Sequence, residues 1–217
     1  MKTRPQTAAE ETVNAITHVI GSHLSAAVIT LLIWNAVESG VDVPWKVVSG
    51  AIFGACALLL YVASSAYHIV TRLSVKRVLE KFDHIAIYFL IAGSYTPFCL
   101  VSLRPGHAGL AWTIFGLEWG AVVAGVVFKI FTAGKYKIVS TLAYIVMGWA
   151  ALIAIVPLVR TLAGLGTMWL AIGGGLYTLG AGFYIWSRIP FFHAIWHVFV
   201  LCGTICHGLC ILWYVML

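Results

Sequence analysis

Three histidines, His68, His193 and His197, are widely separated in a strongly apolar chain, yet counting helices brings all three to one membrane face. His193 and His197 stand four residues apart in HAIWH, so on a helix both imidazoles lie on one face, with Cβ atoms roughly 6 Å apart. A third imidazole from another helix would complete three-point binding of an ion. Three neutral imidazoles with an open fourth position is the pattern expected of a catalytic zinc, whereas a structural zinc normally has four protein ligands. Zinc is therefore the expected ion, with iron or another divalent metal as the alternative.

The HxxxH spacing lacks the glutamate of HExxH, so a general base has to come from elsewhere, and Asp83 is the candidate at the same level. Ser64 lies one turn before His68 on the same face, with Ser65 beside it. Its hydroxyl could point at a metal-held water or a substrate carbonyl; the alternative is a serine bonded to its own helix's carbonyl. The competing reading of the constellation is three interfacial histidines with satisfied hydrogen bonds and no ion. Against it stands the expense of ionisable groups inside a membrane, which makes them functional by default.

The elements that position these residues follow from composition. Of 217 residues, 62% are hydrophobic and 9% charged, more apolar surface than a soluble domain of this length could cover. Seven apolar stretches are each long enough to cross a hydrocarbon core of roughly 30 Å as a helix. They run at about Ala15 to Val37, Val47 to Val70, Asp83 to Val101, Gly109 to Phe128, Ile138 to Leu158, Leu165 to Trp186 and Phe191 to Leu217. β-Barrel strands would be about 10 residues long and alternating, so helices must do the crossing. The expected fold is an all-α integral membrane protein, a seven-helix transmembrane bundle over residues 15–217 preceded by a short cytoplasmic segment, residues 1–14.

Ten lysines and arginines, Lys2, Arg4, Arg72, Lys76, Arg77, Lys81, Lys129, Lys135, Lys137 and Arg188, fall on one side; only Lys46, Arg104 and Arg160 fall on the other. The positive-inside rule then predicts a cytoplasmic N-terminus and an outside C-terminus. The same inner loops account for the net charge of +6, with anionic lipid headgroups as partners and no nucleic acid. The first apolar run is too long for a signal-peptide core, so no cleavage is expected. Connections are short, the longest expected over about Thr71 to Phe82.

Other residues are read structurally. Pro97 in GSYTP should kink the third span. Gly174, Thr178 and Gly182 recur every four residues as a ridge for close helix packing. Cys202, Cys206 and Cys210 form a stripe of small side chains with no CxxC pair. Glu11, Asn14 and His18 in EETVNAITH, at near-helical spacing, either line the entrance to the site or only cap and anchor the first span; the second role is favoured for Glu11, and Asn14 and His18 are left open. His207 lies about 15 Å beyond His197 and cannot share its ion. Glu118, near the middle of the fourth span, is protonated, paired or wet, with a structural or lipid-cavity role.

SSAYH (64–68), KFDHIAIYFLIAGSYTP (81–97), FFHAIWH (191–197) and EETVNAITH near the start resemble the hemolysin III branch of the progestin and adipoQ receptor (PAQR) family, and the resemblance covers nearly the whole chain. It implies a seven-helix fold with the N-terminus inside, zinc held by His68, His193 and His197, and Asp83 and Ser64 as neighbouring or water-positioning residues. Eukaryotic relatives are receptors linked to ceramidase-like activity, and bacterial members are associated with membrane homeostasis. The chain lacks the long N-terminal region of those receptors, so a multi-pass bacterial inner-membrane protein is expected.

Three functions compete. The first is an intramembrane zinc hydrolase of lipid amide or ester bonds, with Asp83 as base and Ser64 toward the oxyanion. The second is a non-enzymic sensor or receptor of membrane lipids or fluidity with a structural zinc. The third, a cytolytic pore, would need the protein to reach another membrane. The lipid and the oligomeric state are not legible.

Overall fold

The computed structural model describes residues 4–132 and 135–217; Lys2, one of the ten basic residues counted above, lies outside them. The described chain is helical throughout: α1 (Ala8–Glu38), α2 (Val43–Ile69), α3 (Leu73–Pro97), α4 (Arg104–Thr132), α5 (Lys137–Gly148), α6 (Ile155–Ile185) and α7 (Phe192–Ile211). Short tighter or wider helical turns join or extend them at Phe98–Leu103, Ala150–Ala154 and Leu212–Met216. Five continuous helical stretches are long and apolar enough to cross a membrane, which makes this an integral membrane protein. Two of them, of 60 and 49 residues, far exceed one bilayer, and each contains a non-helical residue, His107 and Ala163 respectively.

α3 and α4 lie antiparallel. Lys81 Nζ donates to the Ile130 carbonyl at 3.0 Å near one end, the Tyr88 ring covers Gly125, and Trp119 Nε1 donates to Thr96 Oγ1 at 3.2 Å near the other. α5 and α6 are paired the same way by Lys137 Nζ to Ser187 Oγ at 2.6 Å, just past the end of α6, and Trp149 Nε1 to Thr178 Oγ1 at 3.0 Å. The outward surface is apolar, with Trp34, Val123, Phe131 and Val146 all exposed, as lipid contact allows.

α1 begins seven residues before the apolar run because Thr7 and Glu10 form a reciprocal capping box. Glu10 also pairs with Arg4 and accepts the Phe191 backbone N–H at 2.8 Å, which ties the start of α1 to the start of α7. The expected loop over Thr71 to Phe82 is instead mostly helix, since α3 starts at Leu73. LSVKRVLEKF contains neither glycine nor proline, so nothing in it stops a charged, amphipathic helix from extending past the apolar core.

At Pro97, where a kink is expected, the chain keeps helical dihedrals (φ −62°, ψ −40°) and passes directly into the π-helical turn Phe98–Leu103. The small-residue ridge of α6 is a correction. Nothing lies within contact of a Cβ added at Gly174 or Gly182, and Thr178 serves as the Trp149 acceptor. The packed glycines are Gly166, Gly173 and Gly180, seven residues apart, against Tyr214, His207 and Phe199 with Trp196. A seven-residue repeat follows the seam between two slightly supercoiled helices, which a four-residue repeat drifts away from. Tyr95 Oη supports the break after α5 by donating toward Met147 and Gly148 carbonyls at 3.0 and 2.7 Å and accepting the Ala151 N–H at 2.8 Å. Irregular backbone at this depth is thus satisfied by a side chain.

Candidate metal centre

His68 occupies the last turn of α2, and His193 and His197 occupy the first two turns of α7. One ligand atom from each lies within 4.8 Å of the other two, with His68 and His197 buried and His193 half-buried. Zinc–nitrogen bonds are about 2.0–2.1 Å, so small side-chain rotations would bring the set round one ion. Among the described residues it is the group of three or more histidines, cysteines or carboxylates close enough to do so.

Hydrogen bonding orients two of the rings. His68 Nδ1 donates to Glu11 Oε2 at 2.6 Å, and Lys76 Nζ holds Oε1 of the same carboxylate at 2.8 Å. His197 Nδ1 donates to the Asn14 carbonyl at 3.3 Å and also lies 3.3 Å from Thr17 Oγ1. With Nδ1 protonated in each, Nε2 keeps its lone pair for a metal, the carboxylate–histidine arrangement that fixes ligand tautomers in zinc sites. Nε2 of His68 and of His193 are buried atoms with no hydrogen-bond partner, as expected of groups shaped to bind something else.

Glu11 is therefore not the cap expected of it. Thr7 and Glu10 do the capping, and the next residue round the helix points at His68. His18, two turns along, stacks on His197 with ring centroids 3.6 Å apart and planes 11° apart, and neither of its ring nitrogens has a partner. Asn14 is fully buried between them; its side chain donates to Gln6 and its carbonyl receives His197. The spacing of Glu11, Asn14 and His18 was the sequence signal for this third helix.

Ser64 is 1% exposed and its hydroxyl has no partner. Ser22, Ser25, Thr96 and Thr204 all donate to the carbonyl four residues back, whereas Ser64 shares an unpartnered hydroxyl with Ser49 and Ser65 on the same helix. It lines an apolar cavity together with His18, His193, His197 and Asp83, walled by Leu60, Ile87, Leu90, Ile91, Trp196 and Val200. Asp83, the last charged residue of α3 before its apolar run, is half-buried and lines both this cavity and a wide polar vestibule of about 1610 Å³ beneath it. His84, Tyr184 and His193 line both spaces as well, so the histidine site stands at their junction.

His84 was missed. Its Nε2 lies 3.3 Å from Tyr184 Oη, its Nδ1 is buried without a partner, and Tyr144 Oη donates to its carbonyl at 3.0 Å. The adjacent Asp83–His84 pair in KFDHIAIY was the available signal. His207 bonds the Leu170 carbonyl at 3.2 Å and lines the far part of the apolar cavity, outside the group of three histidines. Glu118 is 2% exposed with Oε2 unpartnered and lines neither space.

The sequence profile described as "Haemolysin-III related" matches residues 6–208. The chain belongs to the haemolysin-III-related family. Two relatives in that family are nearly collinear with it. The "Hemolysin-3 homolog" of Bacillus subtilis (strain 168) is 46% identical over 205 residues, covering 94% of each chain. The "Hemolysin-3" of Bacillus cereus is 42% identical over 207 residues, covering 95% of this chain and 92% of its own. More distant is the human "Monocyte to macrophage differentiation factor", 31% identical over 170 residues, or 75% of this chain and 68% of the human one. The haemolysin III assignment agrees with the motifs that carry the histidine site, all of which lie inside the matched region.

Proposed function

We propose that this haemolysin-III-related protein is an intramembrane, zinc-dependent hydrolase of lipid amide or ester bonds in a bacterial inner membrane. The observation that carries the reading is the junction itself: three imidazoles, two of them oriented through Nδ1, facing an unpartnered serine and an aspartate where an apolar cavity meets a polar vestibule.

Zinc held by His68, His193 and His197 would lower the pKa of a bound water to about 7 and polarise a carbonyl. Asp83 takes the proton released in the attack and returns it to the leaving group. Ser64 donates its free hydroxyl to the developing oxyanion, in surroundings dry enough to make that bond count. Glu11 holds His68 in one tautomer, and Asn14 does the same for His197. The apolar cavity orients the chain of the lipid and excludes water from it.

The topology we adopt has seven crossings with the N-terminus cytoplasmic. It is supported by the backbone breaks at His107 and Ala163, each inside a connection expected from the hydropathy, and by the antiparallel pairing of the helices on either side.

The test is elemental mass spectrometry on protein purified without chelators, followed by hydrolysis assays on membrane lipids. About one zinc per chain is expected, lost in a folded His193→Ala/His197→Ala variant. Absence of metal from the wild type would overturn the reading. A non-enzymic sensor is favoured by one observation, that an ion here would tie α1, α2 and α7 through residues 11, 14, 68, 193 and 197. That reading expects zinc-dependent stability with no lipid product. The name of the Bacillus relatives speaks of lysis, and a pore would have to give a defined conductance with purified protein.

A further inference from the structure

The vestibule below the histidines is positively charged in a specific way. Its wall carries six lysines and arginines against three carboxylates. Arg4 and Lys76 are already neutralised by Glu10 and Glu11. Lys129 and Lys137 are not: among the described residues neither has a carboxylate oxygen within 4.0 Å, and each donates to a single hydroxyl, Ser140 Oγ at 2.7 Å and Ser187 Oγ at 2.6 Å. Lys129 is 1% exposed, an expensive position for an ammonium with one neutral acceptor. Glu80 and Asp83 lie within Coulombic range of Lys129 without touching it. Both ammonium groups lie within Coulombic range of His84, and Lys137 also within that of His193. Both ammonium groups thus line the vestibule beside the junction where the apolar cavity opens, Lys129 with Ser140 as its one hydrogen-bond partner and Lys137 with Ser187 and the face of the Tyr184 ring 4.2 Å away.

We propose that Lys129 and Lys137 bind a phosphate, and that the lipid taken by this site carries that phosphate on its headgroup. Ammonium groups bind phosphate as point charges, and two of them with unused donors suit an oxyanion better than a neutral headgroup. A lipid with its phosphate on this pair and its chain in the apolar cavity would cross the junction at which the three histidines stand. The inference deepens the hydrolase reading and rests on it for the orientation of the lipid.

Zinc-loaded protein in neutral detergent, titrated with dioleoyl phosphatidate and with dioleoylglycerol under native mass spectrometry, tests it. The two probes differ by the phosphate alone. The wild type should hold phosphatidate at least about tenfold more tightly, the scale of one or two charge-assisted hydrogen bonds. Lys129→Met and Lys137→Gln should each remove most of that preference, and Lys81→Gln, on a lysine outside the vestibule that bonds the Ile130 carbonyl, should keep it. If Lys129→Met does not fold, Lys137→Gln decides, since Lys137 is only half-buried. Displacement of phosphatidate by inorganic phosphate would support the anion site with the free ion as a second source. Equal binding of the two lipids by the wild type, or a preference that survives in the lysine variants, overturns the proposal. Zinc measured in the same samples separates the two readings: lysine-dependent phosphatidate binding without zinc sinks the hydrolase and keeps the anion site, and zinc without phosphate preference does the reverse.

Discussion

At the residue scale, Glu11 decides how well His68 can serve. Its carboxylate receives Nδ1–H at 2.6 Å, and its other oxygen is held by Lys76, so the ring can neither rotate nor switch tautomer freely. Glu11→Gln is expected to weaken zinc binding by about 10- to 100-fold, read by competition with a chromophoric chelator. Lys76→Gln should do less, because it leaves the carboxylate on His68. Asp83→Asn and Ser64→Ala are expected to keep zinc while lowering turnover of an identified lipid by about 100-fold or more, the scale of a lost base or oxyanion donor. Full turnover in Asp83→Asn would remove that residue from the chemistry. His193 and His197 were legible because four-residue spacing on a helix is local. The Glu11–His68 bond spans 57 residues, and no local pattern announces it.

At the element scale, α6 and α7 are joined by packing that glycines permit. A methyl group at Gly173 would collide with the His207 ring, which itself bonds the Leu170 carbonyl. Gly173→Ala is therefore expected to destabilise the protein by about 1–3 kcal/mol, seen as a lower thermal midpoint in detergent. Gly174→Ala, one residue away with open space beside it, should leave the midpoint unchanged or raise it slightly, since alanine favours the helix by up to about 1 kcal/mol. Equal effects at the two positions would contradict the seven-residue seam. The sequence offers glycines at 173, 174 and 175 in succession, and choosing among them requires knowing how far α6 is rotated about its axis.

At the scale of the whole molecule, the histidine end ties α1, α2 and α7 together through side chains that a metal would hold in common. Chelation is expected to lower the thermal midpoint, and re-addition of zinc to restore it, with about 4 kcal/mol available when free zinc is 1,000 times its dissociation constant. An unchanged midpoint on removing bound zinc would count against the shared tie. Topology has its own test. With the native cysteines replaced, His107→Cys and Ala163→Cys should react with a membrane-impermeant thiol reagent added outside intact cells, and Lys135→Cys only after permeabilisation. Labelling of neither outer position would leave the 60- and 49-residue stretches as single elements and sink the seven-crossing arrangement.

Composition and run length by themselves determined that this chain is a helical integral membrane protein, because a hydrocarbon solvent permits few backbones and the apolar runs have the length that helices need. Motif spacing likewise determined its family and selected the three histidines. Tertiary structure alone decided what surrounds them: Glu11 on His68 rather than at the helix cap, His18 stacked on His197, Ser64 without a bond, and Lys129 buried on the Ser140 hydroxyl with no carboxylate in contact among the described residues. Those facts depend on helix rotation and on the few ångströms between neighbouring helices. Hydropathy is averaged over a whole turn and carries neither quantity.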